Sequence, residues 1–160
     1  MVWGYKNMKI ASTQYTLQNK SFEIYLSGCS GNPKCNGCYN KELWDFDVGE
    51  EWSPKLYGSI EQKIHNFENL IDDIMVLGGE PLDQDILEFF WFTENIKSFN
   101  KKLWLFTRNE LSGIEPKIAN QFDYIKVGRY IPELKVDDNV WYGIKLSTSN
   151  QKILKKGLDY

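Results

Sequence analysis

No run of apolar residues in this 160-residue sequence approaches the roughly 18 to 20 needed to span a bilayer. The amino terminus also lacks the basic-then-apolar plan of a signal peptide. These absences predict a cytoplasmic protein with no membrane partner. Charge of one sign is missing too: 19 Lys and Arg stand against 22 Asp and Glu, so no strong basic field exists to hold nucleic acid. Cysteine is scarce at three residues, an odd number that does not suit a secreted disulfide framework. Histidine is limited to His65, and no internal repeat, linker or low-complexity segment interrupts the chain.

What is present is a globular composition, with 42% apolar and 15% aromatic residues. The length predicts one compact domain over residues 1–160, too short for a full eight-stranded α/β barrel of about 250 residues. "FEIYLS" (22–27) reads as a strand, with "KIASTQYTLQNK" before it as a hairpin partner. From Ser59, the apolar residues Ile60, Ile64, Phe67 and Ile71 recur at helical spacing. Ser59 and Gln62 stand at capping-box positions, which predicts a helix ending near Asp72. Ile74–Leu77 reads as a buried strand and about Asp83–Phe99 as a second helix. "KKLWLFT" is a third strand, Glu115–Gln121 a short helix and "DYIKVGRY" a fourth strand. "WYGIKLSTSNQKI" adds a further strand and a returning loop. This βαβαβαβ order predicts an α/β fold with a parallel sheet, whose strand ends bearing Cys29, Gly78, Thr107 and Gly128 fall along one edge, the edge where α/β folds place their sites.

All three cysteines, Cys29, Cys35 and Cys38, lie within "GCSGNPKCNGCYN" (28–40). Clustered thiols in a reducing compartment bind metal or do chemistry more often than they staple a fold. Thiolates are soft ligands suited to zinc or to iron and sulfur, and Gly28, Gly31 and Gly37 let the backbone approach closely. A [4Fe–4S] cluster normally takes four cysteines, so three leave one iron open. Structural zinc with His65 as fourth ligand is the plain alternative, but it leaves the "GGEP" turn at Gly78–Pro81 unexplained, and His65 sits beside the apolar stripe of its helix. Trp44, Trp91 and Trp104 read as core residues, and Lys152, Lys155 and Lys156 as a solvated tail.

The cysteine loop after the first strand and the "GGEP" turn after the second resemble the radical S-adenosylmethionine (SAM) superfamily. Within it, "CNGCYNKELW", "DYIKVGRY" and "TSNQK" (148–152) resemble the glycyl-radical-enzyme activating family, in the small branch that acts on anaerobic ribonucleotide reductase. The resemblance covers about residues 22–152. It departs at the first cysteine spacing, where five residues separate Cys29 from Cys35, at "FTRN" in place of a "WTGY"-like strand end, and at Val127 in place of an Asp. Loops absorb such insertions at small entropic cost.

The resemblance implies a truncated β/α barrel with a mostly parallel sheet, open on one side. It implies a [4Fe–4S] cluster on Cys29, Cys35 and Cys38, the methionine end of SAM at Gly78, Gly79 and Glu80, and adenosine or carboxylate contacts from Tyr39, Thr107 and Arg129. The implied activity is reductive cleavage of SAM to place a glycyl radical on the large reductase subunit, with electrons from a one-electron donor such as flavodoxin. A small-molecule radical SAM enzyme similar to the 7-carboxy-7-deazaguanine synthases is the alternative, and a zinc or thiol binding module is the non-enzyme one.

Overall fold

The computed structural model describes residues 8–31, 38 and 41–160. Strand β1 (Lys9–Thr16) folds back on β2 (Ser21–Leu26) as an antiparallel hairpin, with Thr13 opposite Ile24. A short strand β3 (Glu50–Glu51) pairs with the outer edge of β1. From β2 the chain alternates: helix α1 (Pro54–Asn66), β4 (Asp73–Gly78), α2 (Ile86–Lys97), β5 (Lys102–Phe106), α3 (Pro116–Ala119) and β6 (Tyr124–Val127). A two-stranded hairpin, β7 (Val140–Trp141) and β8 (Ile144–Lys145), precedes β9 (Lys152–Lys155).

The main sheet runs β3-β1-β2-β4-β5-β6-β9. β2, β4, β5 and β6 are mutually parallel, whereas β1, β3 and β9 are added antiparallel at the two edges. The expected parallel sheet is therefore the centre of a mixed one. Its outermost strands, β3 and β9, do not pair with each other, so among the described residues the sheet is open and no barrel closes.

Alternation along the strands divides the side chains between two faces. Phe22, Ile24, Leu26, Ile74, Val76, Leu103, Leu105, Ile125 and Val127 pack beneath the helices with Leu56, Ile60, Ile64, Phe89, Phe92 and Ile118. Burying each such large side chain contributes about 1.5–3 kcal/mol. On the opposite face Met75 and Trp104 pack with Leu146 and Ile153. There the Trp104 ring stacks on Tyr124 with centroids 4.1 Å apart, and Tyr142 from the β7–β8 turn meets Tyr124 edge-on. The hairpin thus closes over a face that would otherwise leave aromatic rings in water.

The helix borders differ from the sequence expectation. α1 begins at Pro54, not Ser59: Ser53 caps it through Oγ accepting the Leu56 N–H at 3.2 Å, and Pro54 occupies the first turn. Leu56 extends the apolar stripe one turn back, so Ser59 lies inside the helix and no capping box forms there. The helix stops at Asn66 because Glu68–Leu70 tightens into a 3-10 turn leading to Ile71. α2 is capped by Asp85, which accepts from the Leu87 and Glu88 amides, after a 3-10 turn at Pro81–Asp83.

Candidate metal and cofactor site

The carboxyl ends of the four parallel strands meet at a cavity of about 230 Å³. Its walls include Cys29 and Cys38, the turn Gly78–Gly79–Glu80, and Thr107, Arg108 and Lys126. Cys29 leaves β2 in a segment held by two backbone bonds, Gly28 N–H to Leu43 O at 2.8 Å and Cys29 N–H to Trp44 O at 3.2 Å. Cys29 is buried and Cys38 is half-buried. Cys35 and Tyr39 lie outside the described residues. Among the described residues no group of three His, Cys, Asp or Glu converges as a metal site. Two of the three predicted ligands nonetheless share one cavity, and their soft donor chemistry fits an iron–sulfur cluster. His65 is not part of this wall: its side chain is 74% exposed and lies 3.6 Å from Glu68.

The two glycines of the "GGEP" turn are required by close packing. A Cβ on Gly78, whose φ is +129°, would fall 2.1 Å from Leu26 O, and one on Gly79 would fall 2.3 Å from Gly28 O. The approach lets the Gly79 N–H donate to Leu26 O at 3.0 Å and the Glu80 N–H to Gly28 O at 2.8 Å. These amides therefore tie the turn to the cysteine segment. They are not left free.

Glu80 is buried at 1% exposure. Its carboxylate accepts from the Leu82 N–H at 2.9 Å, the Arg108 N–H at 2.6 Å and the Thr107 hydroxyl at 2.8 Å. The same hydroxyl lies 2.9 Å from the second oxygen, so three donors engage both oxygens of the carboxylate. Burial pushes the Glu80 carboxyl above its usual range, and the bonds from Leu82, Arg108 and Thr107 and the Arg108 charge pull the other way.

Thr107 lines the cavity, but its hydroxyl is spent on Glu80 and accepts in turn from the Asn109 N–H at 3.1 Å. Arg129 is not part of the cavity wall; its carbonyl accepts from Asn150 Nδ2. Gln151 Nε2 donates to Gly128 O, so the "SNQ" segment fastens the turn after β6. The cations on the wall are Arg108 and Lys126, neither singled out from sequence. Lys126 Nζ donates to Gly128 O at 2.8 Å and Thr107 O at 3.2 Å. The Arg108 guanidinium forks onto Asp83, Nη1 to Oδ2 at 3.0 Å and Nη2 to Oδ1 at 3.1 Å. Trp44, expected in the core, also lines the cavity, whereas Trp104 is a core residue. The signal for Arg108 was the departure "FTRN" itself, a charged residue at a strand end facing the site edge.

A parallel centre with cysteines and a double-glycine turn at its carboxyl edge defines a class, and the family comparison agrees with it. The chain belongs to the 4Fe-4S single cluster domain family, whose model matches residues 20–154. More particularly, it is similar to the anaerobic ribonucleoside-triphosphate reductase-activating proteins of Salmonella typhi and Escherichia coli (strain K12). Each is 24% identical to it over 136 residues, covering 81% of this chain and 84% of the relative. No helix among the described residues is long and apolar enough to cross a membrane.

Proposed function

We propose that the protein is a radical SAM activating enzyme that places a glycyl radical on the large subunit of an anaerobic ribonucleotide reductase. The observation that carries this reading is the shared cavity: Cys29, Cys38 and the Gly78–Gly79–Glu80 turn line one pocket, in a chain similar to proteins named for activating that reductase. In this reading the sheet is a truncated radical SAM barrel, and its open side admits a glycine-bearing loop of the partner.

Cys29, Cys35 and Cys38 would hold a [4Fe–4S] cluster, and three thiolates leave one iron open to the amino and carboxylate groups of SAM. Bound there, cluster and SAM supply reductive cleavage of the sulfonium and hydrogen-atom abstraction from a glycine Cα. The chain's own part is binding, orientation and exclusion of water. Glu80 is assigned to the ammonium of SAM through its negative charge, and Gly78 and Gly79 keep that wall free of side chains. Tyr39, Thr107 and, from outside the cavity wall, Arg129 are assigned to the adenosine and carboxylate side, Thr107 through its carbonyl because its hydroxyl is engaged by Glu80 and its N–H by Lys126 O. A one-electron donor of the flavodoxin class delivers the electron.

The test is anaerobic reconstitution. The protein should be brown with about four irons per chain. With SAM, a one-electron reductant and the cognate reductase, it should give an electron paramagnetic resonance doublet from a glycyl radical on the partner. The doublet should vanish when the partner's target glycine is changed to alanine. A cluster-loaded protein whose SAM turnover is accelerated by a small molecule, with no doublet on any reductase, would replace this reading with the small-molecule one.

A further inference from the structure

Arg108 is one of only two arginines in the chain. Its fork onto Asp83 uses one Nη1 proton and one Nη2 proton, and Nη1 also lies 3.4 Å from Cys29 Sγ, the reach of an N–H···S hydrogen bond. Asp83 is held from the other side as well: its Oδ2 accepts the Ser30 N–H at 2.8 Å. The Asp83–Arg108 pair therefore grips the side chain of Cys29 and the backbone of the residue after it. A plain ion pair joining the turn after β4 to the end of β5 would need neither contact. The Arg108 side chain is only 22% exposed, so its charge is weakly screened.

We propose that Arg108, clamped by Asp83, is a positioning residue that hydrogen-bonds the Cys29 ligand sulfur and sets the reduction potential of the cluster. The inference rests on the assignment of Cys29 as a cluster ligand. One-electron reduction adds a negative charge that spreads over the irons and their sulfurs. A donor on a ligand sulfur stabilises the more negative form, so it raises the potential. The rigid fork matters because a lysine would supply the charge without the directed second proton. Asp83 alone would act in the opposite sense, as a carboxylate near the cluster.

The experiment is a redox titration of the cluster-loaded full chain, followed by electron paramagnetic resonance, in wild type, Arg108→Gln, Arg108→Lys and the double variant Asp83→Asn/Arg108→Gln. At the wild-type midpoint, Arg108→Gln should lower the reduced-to-oxidised ratio about tenfold, which is about 59 mV for one electron. Arg108→Lys should fall between, and the double variant should recover part of the loss because the bare Asp83 charge is gone. An unchanged ratio in Arg108→Gln at full iron content overturns the proposal. A second arm uses wild type grown on 15N-arginine. Pulsed resonance of the reduced cluster should show a weak 15N coupling that survives Arg129→Lys and disappears in Arg108→Lys. Absence of the coupling in wild type overturns the proposal even if Arg108→Gln fails to hold iron. A wild-type protein that binds no cluster overturns instead the ligand assignment on which the inference stands.

Discussion

The Thr107 hydroxyl lies 2.8 Å from Glu80 Oε1 and 2.9 Å from Oε2, joining the end of β5 to the turn after β4 inside a buried network. Its single proton is shared between the two oxygens, while backbone amides of Leu82 and Arg108 supply the other donors. The strand ends are thus joined to each other by one carboxylate at the cavity floor.

Thr107→Val keeps the shape and removes the proton. A buried acceptor losing one charge-assisted bond costs about 1–3 kcal/mol, so urea denaturation should show a loss in that range. Thr107→Ser keeps the hydroxyl and should lose less than half as much. Equal losses in the two variants would mean that Thr107 contributes through its methyl packing alone.

Because burial raises the Glu80 carboxyl above its usual range, the folded protein binds a proton there more readily than the unfolded chain does. The stability gained from that proton is complete below the unfolded value and is lost as pH rises through the raised folded value. Glu80→Gln cannot take up the proton. The stability of wild type relative to Glu80→Gln, measured by denaturation at a series of pH values, should therefore decline from acid toward neutral pH. A difference that grows with pH would reverse the sign of the shift. Asp73 is raised in the same sense, again chiefly by burial, and cancels because both proteins carry it.

On the proposed assignment each of the three thiolates is a required ligand, so Cys29→Ala, Cys35→Ala and Cys38→Ala should each drop iron to well below half the wild-type content and abolish reductive SAM cleavage. His65→Ala serves as the contrast: a side chain 74% exposed on α1 and away from the cavity should be replaceable with full metal content. Metal loss in His65→Ala, with zinc as the metal found, would restore the zinc alternative.

The four central strands were legible because their alternating apolar and aromatic residues leave little else for them to form: "FEIYL" and "KLWLF" each present one face to the helices, and Trp104 and Phe106 of the latter turn to the second core. Helix α1 was misplaced at its start because the stripe of Ile60 and Ile64 was followed forward only, although Ser53 and Pro54 carry the stronger local start signal. The site edge was legible from topology, since right-handed crossovers put the ends of parallel strands together. The Arg108–Asp83–Cys29 contacts were not, because they join residues 108, 83 and 29 across three separate strand ends. No local pattern encodes such a meeting; it follows only once β2, β4 and β5 are set in register. Glu80 was recognised from its motif, but its internal partners depend on the same register.

The glycines give the sharpest stability contrast. Gly79→Ala places a methyl 2.3 Å from Gly28 O and 2.6 Å from Leu43 O, both backbone atoms with no rotamer to yield. Overpacking of this kind costs about 1–3 kcal/mol, and here the strain falls directly on the segment that carries Cys29. Gly78→Ala adds a left-handed φ of +129° to a 2.1 Å approach to Leu26 O and should destabilise at least as much. Gly58, in the middle of α1, has nothing within 4 Å of an added Cβ. Gly58→Ala should therefore stabilise the protein by about 0.5–1 kcal/mol, through helix propensity alone. Thermal denaturation of the three variants checks the set. A Gly79→Ala protein as stable as wild type, with its iron content intact, would show that the "GGEP" turn and the cysteine segment do not approach as closely as these distances require.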